Sequence, residues 1–170
     1  MTTKSTTMIH KLLIAMPDQN SGFFEKSVIL MLEHNKKGAM GLTLTQTANA
    51  TVKDIIKNFE FDMKDEEAFD TPAMIGGPVQ PERGFILHRK PSRWESTVQL
   101  ESDLSLTVSV DFLQSAAQGL VFDDFQVFLG YAGWDAGQLE EEIKHNAWLF
   151  VDLDTSLIFD TPPDQRWQVA

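Results

Sequence analysis

The 170-residue sequence contains no cysteine. Disulfides, thiolate nucleophiles, zinc ribbons and iron–sulfur ligation are therefore excluded together. The absence also points to a reducing compartment. Long hydrophobic runs are missing too. The longest stretches of apolar residues span five positions, as at 12–16 and 28–32, where a membrane helix needs about 20. Residues 1–7 are polar around Lys4 and hold no apolar segment of signal-peptide length, so a soluble, cytoplasmic protein is the expectation. Positive charge is scarce, with 14 Lys+Arg against 25 Asp+Glu and a net charge of −11. Such a balance argues against a surface that neutralises phosphates or anionic lipid. Neither phosphate-loop pattern occurs, and HExxH, EF-hand and GxSxG patterns are also absent. No internal repeat or linker-like stretch divides the chain, so one domain over 1–170 is expected.

What is present suffices for a core: 42% hydrophobic residues, including 12 Phe and 4 Trp. Strands are predicted at 11–16, 27–33, 41–45, 72–75, 85–88, 104–108, 125–129, 148–151 and 157–159, from short apolar or alternating runs bounded by turn residues. The polar stretch 34–38 reads as a hairpin loop closed by Gly38. Thr51 opens a helix with Val52, Ile55, Ile56 and Phe59 on one face. Ser109 reads as the cap of a second helix over 110–118, with Gly119 at its left-handed end. Asp135 and Gln138 have the spacing of a capping box for a third helix, through His145. The acidic stretch 62–70 reads as an exposed connection, and residues from Pro162 onward as a trailing end. Strands and helices do not alternate regularly. The expected class is α+β, with a mainly antiparallel or mixed sheet and about three helices.

Few residues form a recognisable chemical constellation. His10, His34, His88 and His145 show no ligand spacing, and Glu141 with His145 reads as a surface i, i+4 pair, so no metal is expected. Gly130, Gly133 and Gly137 lie where a strand should meet a helix. Tight turns and close packing outweigh anion binding there, because Asp135 and three glutamates crowd the helix start. Arg83, Arg89, Lys90 and Arg93 form the one basic concentration. It is a candidate anion contact, with a solvated strand edge as the plainer alternative. Glu33-His34 is the only adjacent carboxylate–imidazole pair. Consecutive strand residues face opposite ways, so the two act together only if the strand ends between them.

Three ordered stretches carry a resemblance. Ser27-Val-Ile-Leu-Met-Leu-Glu-His34 with Gly38-Ala-Met-Gly-Leu42 resembles the N-terminal signature of the YqgE/AlgH family of bacterial proteins, and Gly76-Gly77-Pro78-Val79 resembles its central motif. Gly130-Tyr-Ala-Gly-Trp134, Gly137-Gln-Leu-Glu140, Glu142 and Asn146-Ala-Trp-Leu149 resemble its C-terminal signature. Where the family reads Leu-Asn-Arg-Pro, this chain has Leu44-Thr45-Gln46-Thr47, so no role for that Asn–Arg pair carries over. The resemblance implies a bifurcated sheet wrapped into a pseudo-barrel, with the domain core at about 11–159. It supplies no catalytic residue and no cofactor, and some family members are labelled transcriptional regulators. Its matching positions Glu33, His34, Gly38, Gly41, Gly77, Trp134, Gln138 and Glu140 become the candidate pocket or surface.

Two functions of different class follow. The first is a non-enzymatic regulatory or binding module that acts through protein or small-ligand contacts and regulates transcription, if at all, indirectly. Direct nucleic-acid binding is not expected at a charge of −11 without a helix-turn-helix pattern. The second is an enzyme for a small anionic or nucleotide-like substrate near Glu33 and His34. Whether the motif segments line one concavity separates them.

Overall fold

The computed structural model describes residues 9–16, 26–89, 97–101, 104–108, 111–119 and 124–170. Among these, ten strands form one branching sheet: β1 (Lys11–Ala15), β2 (Val28–Asn35), β3 (Gly38–Thr43), β4 (Thr47–Thr51), β5 (Pro72–Ile75), β6 (Val79–His88), β7 (Thr97–Glu101), β8 (Leu104–Thr107), β9 (Phe125–Asp135) and β10 (Trp148–Asp152). Five helices accompany them: α1 (Val52–Asn58), α2 (Asp111–Ala117), α3 (Gln138–Lys144), α4 (Thr155–Phe159) and α5 (Arg166–Val169). The main path runs β10-β1-β2-β3-β9-β6-β8-β7, with β4 and β5 branching off β9. All pairings are antiparallel except β5 with β9. The fold is α+β, and the sheet curls into a half-barrel whose ends, β10 and β7, remain apart.

The branch point is built from glycine. Along one edge β9 pairs Phe128 and Leu129 with β5, then Ala132–Asp135 with β3. Between them, Gly76 donates its N–H to Leu129 O (2.8 Å) and accepts from Thr43 N–H (2.7 Å). A Cβ on Gly77 would stand 2.0 Å from the Tyr131 carbonyl carbon, and one on Gly130 2.4 Å from the Gly77 oxygen. Gly130 also has φ +75°, which side chains with a Cβ disfavour. The three segments can meet only because both positions lack a side chain.

Alternation in the strands splits the core into layers. Leu12, Leu30, Leu42, Phe85, Leu87 and Phe128 point into the curl, where α4 adds Leu157 and Ile158. Their neighbours Leu13, Ile29 and Met31 point outward beneath α3, with Trp134, Leu139 and Trp148. Ile86 and Val127 point outward beneath α1 and α2, with Ile56, Phe112 and Leu113. Unbroken apolar runs such as 28–31 are therefore buried on both faces.

The structure departs from the sequence-based expectation at several elements. Among the described residues the helices number five, against about three expected. The predicted strand at 157–159 is α4, because Asp154 caps a helical turn by accepting from Ser156 N–H (3.0 Å) and Ser156 Oγ (2.7 Å); these bonds hold the Asp154 carboxyl below its usual range. The strand predicted to end at Leu129 continues to Asp135, since Gly130 permits close strand approach rather than a stop. β4 has too little apolar character to be read from sequence. Phe69, within the acidic stretch, is buried on a 3-10 turn. Gly137, not Asp135, occupies the α3 cap, while Gln138 Oε1 accepts Asp135 N–H (2.9 Å), which preserves half of the expected box. The capping box at Thr51 is complete, with Asp54 as its second member. Its hydrogen bonds with Thr51, backbone first, hold the Asp54 carboxyl low. The proposed Ser109 cap lies outside the described residues, and Gly119 adopts the left-handed conformation (φ +77°).

The largest departure is at the C-terminal end. Residues 163–169 form a 3-10 turn and α5 instead of trailing away. Arg166 is only 1% exposed. It donates to Leu44 O (2.8 Å), Thr161 O (3.0 Å) and Ile158 O. Burial pushes its pKa down to about 10. Trp167 Nε1 donates to Ala15 O (2.9 Å) and closes the same end of the curl.

Candidate functional site

β2 and β3 set the site through their turn. Asn35 Oδ1 accepts Lys37 N–H (2.8 Å), and Gly38 begins β3 at φ +141°. A Cβ on Gly38 would meet Trp134 O at 2.3 Å, so β3 lies against β9 only with glycine there. The turn is tight enough that His34, expected in a loop, lies inside β2. Glu33 pairs with Met40 and His34 with Ala39, after a bulge at Leu32. With the strand unbroken, Glu33 and His34 face opposite ways.

On the inner face, where the curl opens beyond the apolar core, lies a cleft of about 510 Å³. Glu33, Asn35 and Lys37 supply its polar wall, Met40, Val79 and Tyr131 its apolar floor, and Asp135 its far rim. Register explains the grouping: Met40 lies opposite Gly133 and Gly38 opposite Asp135 across the β3–β9 pair. Tyr131 stands edge-on to Phe85 at 6.1 Å, joining the cleft floor to the inner core. Of the eight motif positions, Glu33, Gly38 and Trp134 border this cleft. The indole of Trp134 packs on the other face.

The outer face is a closed hydrogen-bonded lock. Glu142 Oε1 accepts from both indoles, Trp134 Nε1 at 3.0 Å and Trp148 Nε1 at 2.8 Å. Its Oε2 accepts from Gln138 Nε2 at 3.0 Å. The two indoles meet edge to face at 6.1 Å. His34, its side chain 8% exposed, pairs with Glu140 at 3.1 Å. Gln138 and Glu140 thus join α3 to the sheet, away from the cleft. Gly41 packs under Ile29, and Gly77 belongs to the branch point.

Of the basic concentration, the two described residues, Arg83 and Arg89, lie apart. Arg83 on β6 lies over the Phe85 ring at 5.0 Å. Arg89 lies six residues further on, about 20 Å along an extended chain. It pairs with Asp124 (3.2 Å) and Asp160 (3.2 Å) and stacks on Phe159 (4.7 Å). Its charge is therefore already flanked by two carboxylates. Lys90 and Arg93 lie outside the described residues. His88 is buried, bonded to Thr107 Oγ1 (2.7 Å) and tilted against the Phe112 ring at 4.8 Å. Glu141 and His145 stand 3.9 Å apart on the α3 surface, as their spacing implied. Among the described residues, no group of three His, Asp or Glu side chains is placed to hold a metal ion. None of the described helices is long and apolar enough to cross a membrane.

Sequence reasoning missed Asn35, Lys37, Met40, Val79, Tyr131 and Asp135 as cleft residues. The available signal was period two: Glu33 and Asn35, and Tyr131, Gly133 and Asp135, share a face only if both strands run unbroken. It also left Glu142 out of the candidate set, though it is the acceptor on which the outer lock centres.

Comparison with known proteins agrees with this architecture. The AlgH-like family model matches residues 12–170. A UPF0301 protein of Hydrogenovibrio crunogenus is 42% identical over 162 residues, covering 95% of this chain and 86% of the relative. A second, from Thioalkalivibrio sulfidiphilus, is 41% identical over 168 residues, covering 99% and 90%. The solution structure of the AlgH protein from Pseudomonas aeruginosa superposes with a TM-score of 0.82 at 35% identity, covering 99% of this chain and 90% of that one. A crystal structure of a Corynebacterium diphtheriae protein shares the fold, with a TM-score of 0.70 at 22% identity, over 92% and 81% of the two chains. Over nearly its whole length the chain belongs to the AlgH-like (UPF0301) family.

Proposed function

We propose that this protein is a binding module rather than a catalyst, and that the inner-face cleft receives its ligand, a small molecule or a short protein segment. Any effect on transcription is then indirect, through the partner that this binding recruits or releases. One observation carries the reading. Glu33 faces the cleft, while His34, the imidazole an acid–base mechanism would require beside it, faces α3 and is paired with Glu140 at 3.1 Å. What remains in the cleft is a recognition set: carboxylates at both rims, an amide, an ammonium and one phenol over an apolar floor. Such a set fixes orientation by hydrogen bonds and contributes affinity by burial.

A thermal-shift screen of metabolites and peptides tests this. A true ligand raises the melting temperature of the wild type, and the shift falls at least about tenfold in apparent affinity with Glu33→Gln or Tyr131→Ala, in line with loss of about 1.4 kcal/mol. Hits that turn over, or that bind equally well to both variants, defeat the proposal.

A further inference from the structure

A glycine inside a paired strand weakens it, and marks a bulge, a tight bend, or the close approach of another backbone or a ligand. Gly133 is such a glycine, exposed within the long strand β9. The fold does not require it. Its register with β3 is regular, with Gly41 opposite Ala132, Met40 opposite Gly133 and Ala39 opposite Trp134, so there is no bulge or sharp bend. Its φ is not positive, unlike those of Gly38 and Gly130. Apart from its chain neighbours, a Cβ built on it would meet no backbone atom within 4 Å. It would touch only Tyr131 Cε2 and Val79 Cγ2, both at 3.6 Å, which is ordinary contact. At Gly38, Gly77 and Gly130 the same Cβ would stand 2.3, 2.0 and 2.4 Å from backbone atoms. Tyr131 and Val79 both line the inner-face cleft. Of the reasons for a strand glycine, the approach of a ligand is the one left.

We propose that Gly133 is the floor of a slot for a flat, positively charged group, a guanidinium or amidinium, on the ligand of this cleft. The inference rests on the binding reading above and names the chemistry that the cleft selects. Flatness follows from the walls. Tyr131, Val79 and Met40 border the bare peptide at Gly133, so a planar group can lie on it against the phenol ring. Charge follows from the rim. Glu33 and Asp135 bring two carboxylates against the one ammonium of Lys37, which belongs to the turn between β2 and β3. None of these three side chains has a hydrogen-bond or ion-pair partner among the described residues. Asp135 lies two residues along β9 from Gly133, about 7 Å, and Glu33 lies two strands away, about 10 Å. A guanidinium seated over Gly133 can donate from its edge to a carboxylate while its face rests on the floor. The net charge of −11 adds attraction for any cation. A lysine ammonium would share that attraction but, being compact and not flat, would leave the slot unfilled.

NMR titration of the full chain with three probes provides the test: agmatine, the tripeptide acetyl-Gly-Arg-Gly-amide, and its lysine counterpart. Affinities on the order of 1 mM or tighter suit ligands of this size. The wild type is expected to bind the arginine tripeptide at least about tenfold more tightly than the lysine one, with shifts centred on Gly133 and Tyr131. Gly133→Ala should be at least as stable to urea as the wild type, yet lose at least about tenfold in affinity for the arginine tripeptide. A glycine needed only for the fold would do the reverse. Asp135→Asn, which keeps the shape of the rim, should weaken both guanidinium probes. Agmatine that matches the arginine tripeptide makes the natural ligand a small molecule, and a clear gain for the tripeptide makes it a protein segment; each supports the slot. Equal binding of the two tripeptides overturns the proposal. So does a folded Gly133→Ala chain that binds arginine as the wild type does, or the failure of both guanidinium probes to bind. If the probes fail while neutral or anionic ligands still depend on Glu33 and Tyr131, the slot falls and the binding cleft stands. If no ligand depends on those two residues, both fall.

Discussion

The two faces of β2, β3 and β9 at the hairpin end differ sharply, although they alternate along the same residues. On the outer face nearly every polar group is matched by another: two indoles and an amide on Glu142, and His34 on Glu140. On the inner face Glu33, Asn35, Lys37 and Asp135 stand exposed around Tyr131 and Met40. Adjacent residues of one motif therefore do different work. Those facing a helix hold the fold together, and those facing the open curl line the exposed cleft. Motif membership alone does not separate the two, but strand parity does.

The largest expected perturbation breaks the outer face. Glu142→Ala removes the shared acceptor and strands two largely buried indole N–H groups, at a cost of about 3 kcal/mol in urea unfolding. A loss below about 1 kcal/mol would mean that the lock is decorative. Next comes His34→Ala, expected to cost about 1 kcal/mol, mostly packing, because its partner Glu140 is half exposed and such pairs contribute little. A double-mutant cycle with Glu140→Ala should return a coupling of about 0.5 kcal/mol. The smallest effects belong to the cleft. Glu33→Gln should change stability by under about 0.5 kcal/mol, as expected of an exposed side chain outside the core. If it destabilised as much as Glu142→Ala, the contrast between the faces would collapse.

Much of the fold was legible because local chemistry repeats it. Apolar runs too short for helices marked β1 and β2, Thr51 with the apolar face after it marked α1, and Gly119 marked the end of α2. Misreadings arose where a local signal had a non-local cause. Gly130 looked like a strand end, yet its missing side chain allows Gly77 and Val79 to approach β9. The stretch from Pro162 onward looked like a trailing end, yet the donors of Arg166 are satisfied by the carbonyls of Leu44, Ile158 and Thr161. The candidate site was half legible: its motif residues were identified, but not which of them share a face.

By itself the sequence determined the composition-level exclusions, the α+β class and the family signatures, because these rest on residue type and short-range periodicity. The tertiary structure decided the branching of the sheet, the burial of Arg166 and the division of Glu33 from His34. Each depends on contacts between segments far apart in the chain, and on whether a strand continues through one particular residue. Period-two geometry then turns a one-residue difference in strand length into a change of face.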